Sequence, residues 1–216
     1  MSGSASLSDS DHAEFEAAQQ RFGLTSADLN HDGTLSTDNH NGNLILSADP
    51  AISHVEPTIV PYNSLAELKN MVGRADSDFT DGPFSDKHLH YPDPIDEDRA
   101  QTLMNTLNEC DFDFQATPAE LGSLRKSAES YVMGNSQKLK TLEPLLNARF
   151  GTGSVAVIAA NKLNVGKDQT VTFKADPNDP DKILVLNFTE VTVDEGGQII
   201  VEAPVKMKTV TFTAAD

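Results

Sequence analysis

Asp28, Asn30 and Asp32 alternate with Leu29 and His31 just ahead of Gly33, and three oxygen-bearing side chains at this spacing can converge on one hard cation. Gly33 permits a sharp turn that lets the Thr34 carbonyl join them. Ser36 would contribute directly or through a water, and Leu35, lying between ligands, would anchor the segment to the core. The competing reading is an Asp-Gly turn whose aspartates are simply solvated.

The stretch DLNHDGTLS, residues 28–36, resembles the first nine positions of an EF-hand calcium loop, a spacing also met in dockerin modules and in the calcium blades of integrin-like propellers. The resemblance covers about a dozen residues and implies a Ca2+ site formed by Asp28, Asn30, Asp32, Thr34, Ser36 and Asn39. Asn39 stands where an EF-hand places its bidentate glutamate, with Asp38 one residue earlier, so the implied site is weak or takes a ligand from elsewhere. No second such loop follows.

Other constellations are less specific. His88 and His90 would share one side of an extended segment, with Asp86 and Asp93 near, as in a transition-metal site or an ordinary polar loop. There is no nucleophile elbow, phosphate-binding glycine loop or His-Glu-x-x-His helix to mark a hydrolase. A glycosidase would need two carboxylates, but with 33 acidic residues no pair stands out. Tryptophan is absent and there are three tyrosines, so sugar-stacking platforms are scarce.

The formal charge of −17 opposes binding to a phosphate backbone, which relies on cations displacing counterions. Nucleic acid is therefore excluded as the expected partner, and anionic membranes are repelled for the same reason. One cysteine, Cys110, rules out an intramolecular disulfide. It falls on the apolar side of a helical stretch between Glu109 and Asp111, which suits a small buried hydrophobe better than a nucleophile. The first residues lack a secretory signal pattern and no apolar run approaches the roughly 20 residues of a membrane span, so the expectation is a soluble protein. An extracellular location would then come by a non-classical route or after loss of a leader.

The elements that must carry these groups fall into two styles. Helix signals predict segments at 11–22, at 65–72 behind a Ser64/Glu67 capping box, after Asp96, at 118–132 behind Thr117, Pro118 and Glu120, and from Ser136 to Gly151 with a break at Pro144. Leu44, Ile45 and Leu46 suit a short strand, and 74–95, rich in aspartate and broken by prolines, suits a long irregular segment. From Ser154 onward apolar residues alternate, as in strands. Leu163, Val165, Val171 and Phe173 are echoed at constant offset by Val191, Val193, Ile199 and Val201, and TVTF occurs twice. Two copies of a strand-turn-strand unit are few for a free-standing stack, so two antiparallel hairpins are the expectation.

These readings combine into an α+β protein: a mainly helical region over 1–150 with a calcium-type loop, then a compact antiparallel, sandwich-like β domain over 151–216. The expected role is a non-catalytic, calcium-stabilised binding or structural module acting on a protein or glycan surface. Two alternatives compete with it: a secreted toxin or effector acting at a target membrane, and a hydrolase using the Asp- and His-rich residues 76–98.

Overall fold

The computed structural model describes residues 8–89, 91, 97–106 and 116–215. The chain divides into two compact units, Met1–Val60 together with Ser154–Asp216, and Pro61–Gly153. The first two strands thus belong with the C-terminal strands, on either side of the helix-rich segment.

In the first unit, β1 (His31–Ser36), β4 (Gly153–Val165), β6 (Leu184–Val193) and β8 (Val205–Ala214) lie side by side in one sheet, with β3 (Thr58–Tyr62) also paired to β4. A second sheet holds β2 (Asn43–Ser47), β5 (Thr170–Lys174) and β7 (Gln198–Glu202). The ladders β1–β4, β4–β6, β6–β8, β2–β5 and β5–β7 are all parallel. This corrects the antiparallel, sandwich-like expectation: the protein is α/β, with parallel sheets and interleaved helices. The echo in the sequence is the physical reason. Leu163 pairs with Val191, Val165 with Val193, Val171 with Ile199 and Phe173 with Val201, each 28 residues on. A hairpin keeps the sum of paired residue numbers constant; here the difference is constant, as stacked coils require.

Each coil passes from the first sheet through a turn into the second. Asn41, Asp168 and Gly196 adopt left-handed φ values of 54°, 57° and 75° at matching places in three stacked turns. In the middle and last turns the same bond closes the bend, Gln169 N–H to Gly166 O at 3.1 Å and Gly197 N–H to Asp194 O at 2.9 Å. The turns also bond to one another, Thr170 N–H to Gly42 O at 2.9 Å and Gln198 N–H to Gln169 O at 2.8 Å. Glycine suits the last of them because a Cβ at Gly196 would lie 2.2 Å from Asp168 Oδ1.

Between the sheets, Leu35, Leu44, Leu46, Ile158, Leu163, Phe173, Leu186, Phe188 and Val191 form one buried core. Inward residues of β4 run Ala156, Ile158, Ala160 and then resume at Leu163 and Val165; those of β6 run Leu184, Leu186, Phe188 and then Val191 and Val193. The alternation slips by one residue midway, so each long strand bends and wraps two sides of the core. Outside the first sheet, α1 (Asp9–Gln20) packs on β6 and β8. Its capping box is built on Ser8 and Asp11, and Gln19, fully buried, accepts a 2.7 Å hydrogen bond from Asn187 Nδ2.

In the second unit, α2 (Leu65–Val72), α3 (Ser77–Thr80), α4 (Glu97–Thr106), α5 (Pro118–Met133) and α6 (Glu143–Phe150) are described. Ser64 caps α2 by accepting from Glu67 N at 3.1 Å, and Thr117 with Glu120 makes a full capping box for α5 with Pro118 at its first turn. After a 3-10 turn at Ser136–Leu139, α6 restarts with Pro144 in its first turn. Asp96, Glu109, Cys110 and Asp111, with the readings placed on them, lie outside the described residues.

Candidate functional site

The cation-type segment folds into a strand. His31–Ser36 is β1, which pairs with β4, and Thr37–His40 is a 3-10 turn. Gly33 takes its left-handed φ of 101° where the β1–β4 register shifts. Asp28 accepts from Thr25 N at 2.8 Å and Thr25 Oγ1 at 2.7 Å, and these two bonds lower its pKa, the side-chain bond first.

Asn30 is bonded on both sides of its amide. Its Oδ1 accepts from Ala159 N at 2.9 Å, and its Nδ2 donates to Glu56 O at 2.8 Å and Thr58 Oγ1 at 3.0 Å. Its own backbone N–H donates to Ala159 O at 2.9 Å. Asp32 lies within β1, and the Thr34 carbonyl faces His31 Nε2 at 3.2 Å. Ser36 Oγ caps the 3-10 turn, accepting from Asp38 N at 3.3 Å, and Asn39 is exposed within that turn.

The hydrogen bonds of Asp28, Asn30 and Ser36 therefore run to different partners. Among the described residues no group of three or more His, Cys, Asp or Glu is placed to hold a metal ion. The metal-binding description is corrected to that extent: the described part of this segment is a strand start stitched to β3 and β4. Replacing Asn30 with alanine removes three hydrogen bonds between segments and is expected to cost about 2–3 kcal/mol. Urea denaturation of Asn30→Ala with and without calcium checks this, and the loss should be the same in both.

A second set of groups, which sequence reasoning did not assemble, lies in the helical unit. Lys69, only 7 % exposed on α2, donates to Tyr131 O at 3.1 Å and to Gly134 O, and pairs with Asp76 Oδ1 at 3.0 Å. Asp76 also accepts from Ser136 N at 2.8 Å, Ser136 Oγ at 2.6 Å and Gln137 Nε2 at 3.1 Å. Burial opposes its ionisation, but the bonds from Ser136, Lys69 and Gln137 outweigh it and hold the carboxyl at about 2.

Beside these groups, the Tyr91 hydroxyl donates to Asp86 Oδ2 at 2.6 Å and accepts from Asn135 N at 2.8 Å, and Lys138 Nζ reaches the same carboxylate at 2.7 Å. Burial, then Asp86, push the Tyr91 pKa up; burial, then the Glu143 bond, push that of Tyr131 to about 12. A Cβ on Gly134 would lie 2.1 Å from the Tyr91 hydroxyl, so this close approach depends on glycine. The cluster ties α2, the 74–91 segment and the end of α5 together.

Of the residues singled out in that segment, Asp86 enters the cluster and His88 is exposed, while His90 and Asp93 lie outside the described residues. The signal that was missed is Lys69 itself, one turn beyond Leu65 and beside Leu68 on the apolar side of α2.

A third feature concerns the two ends of the stacked coils. At the β2 end the edge is covered: His54 N donates to Ile45 O at 2.9 Å, Ile45 N donates to His54 Nδ1 at 3.1 Å, and Ser47 N donates to Ser53 Oγ at 3.1 Å. The His54 ring stacks on His40 with centroids 4.7 Å apart. Leu44 and Leu46 beneath this cover are fully buried.

The opposite end, formed by β7 and β8, differs. Val201, which pairs with the buried Phe173, is 59 % exposed, and Phe212, which pairs with the buried Val191, is 51 % exposed. Their registers aim them at the core, and among the described residues no further coil lies over them. No protein-family model, curated protein or solved structure matches this chain.

Proposed function

We propose that the protein is a non-catalytic binding or structural module that meets a protein partner through the open β7–β8 end of its stacked coils. The exposure of Val201 and Phe212 at inward-facing positions carries this reading. Stacked-coil proteins need a polar cap at each end, and an apolar end beside two strand edges that no described strand covers is a template for strand addition. A protein supplies both apolar side chains and a strand edge, so it fits this end better than a glycan does.

The polar cluster supports the same reading from the other side. Asp76, Ser136, Lys69 and Tyr91 are each joined to partners within the cluster or on the adjoining backbone, which suits a structural tie. The membrane alternative gains no helix for insertion, since none among the described residues is long and apolar enough to cross a bilayer.

Two assays test the reading. Panels of ester, peptide, phosphoester and glycoside substrates should show no turnover that depends on Asp76 or Ser136, and a glycan array should show no specific capture. Turnover abolished by Ser136→Ala in a folded variant, or saturable glycan binding unchanged in Val201→Lys, would overturn it.

A further inference from the structure

Resting on that reading, we infer that the partner seated on the open end is a second copy of this chain, joined tail to tail about a two-fold axis. The axis passes through the bend of β8 and the middle of β7, and sets each strand antiparallel to its own copy.

The register of both strands is what selects a copy. In β8, Val205, Met207 and Thr209 lie opposite the inward residues Leu184, Leu186 and Phe188, whereas Phe212 and Ala214 lie opposite Val191 and Val193. The inward set thus changes parity between Thr209 and Phe212. A dyad between Val210 and Thr211 sets Thr209 opposite Phe212 of the second copy and Met207 opposite its Ala214, inward facing inward. In a strand without the slip this pairing would turn every core residue towards solvent.

In β7, a dyad at Ile200 sets Ile199 opposite Val201 of the second copy, again inward on inward, because both pair with the core residues Val171 and Phe173. The inferred dimer uses one rotation for both strands, exchanging the two arms of β8 and reversing β7 onto itself.

Charge agrees. Lys208 faces Thr213 of the second copy, Lys206 faces Ala215 and Gln198 faces Glu202, so no like charges meet across the axis. Residues 198–216 hold two lysines, one glutamate and one aspartate, so this end carries no net side-chain charge within a chain of −17. Self-repulsion that keeps acidic copies apart elsewhere is relieved at this end. Because the β2 end is covered, pairing closes at two copies instead of growing into a fibre.

Sedimentation of the full chain across micromolar to millimolar concentration tests the inference. The expected result is a monomer–dimer equilibrium, with Val201→Lys and Phe212→Lys each weakening it by at least about 100-fold while leaving the melting transition of the dilute protein unchanged. Ile200→Cys in a Cys110→Ser background should form a disulfide-linked dimer under mild oxidation, since the axis places residue 200 opposite itself. Ile59→Cys, somewhat more exposed but on another strand, should not.

A monomer throughout, open-ended filaments, a dimer indifferent to both lysine variants, or equal cross-linking at positions 59 and 200 would each overturn the inference. Such a failure is distinct from failure of the functional reading, which is decided by turnover and glycan capture.

Discussion

Asp76→Ala should destabilise the helical unit by about 3–5 kcal/mol, the cost of leaving the buried Lys69 ammonium without its counter-charge. The substitution also leaves Ser136 N, Ser136 Oγ and Gln137 Nε2 without their acceptor. Asp76→Asn keeps an acceptor for Ser136 and removes only the charge, so it should cost less. Lys69→Met made on top of Asp76→Ala should add little, with a coupling of about 1–3 kcal/mol between the two positions. Chemical denaturation of the single and double variants measures all of these, and simple additivity would show that the pair does not hold the unit together.

The same carboxylate makes stability depend on pH. Its folded pKa of about 2 lies below the 3.8 of an unperturbed aspartate, so folding favours the ionised form. The contribution, on the order of 2 kcal/mol, is fully present above about pH 5 and is lost as pH falls through 3.8 towards 2. Glu120, held at about 2 by Arg99 and by the Thr117 backbone, acts in the same direction. Denaturation midpoints between pH 5 and pH 2 should therefore decline, and Asp76→Asn should flatten part of that decline.

How far the sequence carried these conclusions depended on how far apart the partners lie. Thr117, Pro118 and Glu120 act within one helical turn, so the start of α5 could be read from adjacent letters. The direction of the strands could not. Alternation shows that one side of a strand is buried and says nothing about its neighbour's direction, because parallel and antiparallel strands share the period of two.

The repeat at Leu163 and Val191 held the missing information. A first coil would have strengthened it, but Leu35 and Leu44 are separated from their partners Leu163 and Val171 by the whole helical unit. The partners of Asn30 in the cation-type segment were hidden for a related reason. Asp and Asn serve caps, turns and ligands alike, and the groups that claim Asn30 sit at Glu56, Thr58 and Ala159.

The stacked coils make a final prediction along one column of the second sheet. Phe173 and Val201 are paired neighbours facing the same core, 1 % and 59 % exposed. Removing the Phe173 ring leaves a cavity with coils on both sides, because β2 lies on one flank and β7 on the other. Phe173→Ala should therefore cost about 3–5 kcal/mol. Val201→Ala, at the open end, leaves no enclosed cavity and should cost less than about 1 kcal/mol in dilute solution. Urea denaturation of both variants decides it. Similar costs would mean that the β7 edge is as enclosed as the β5 strand beneath it, which would remove the open end on which association depends.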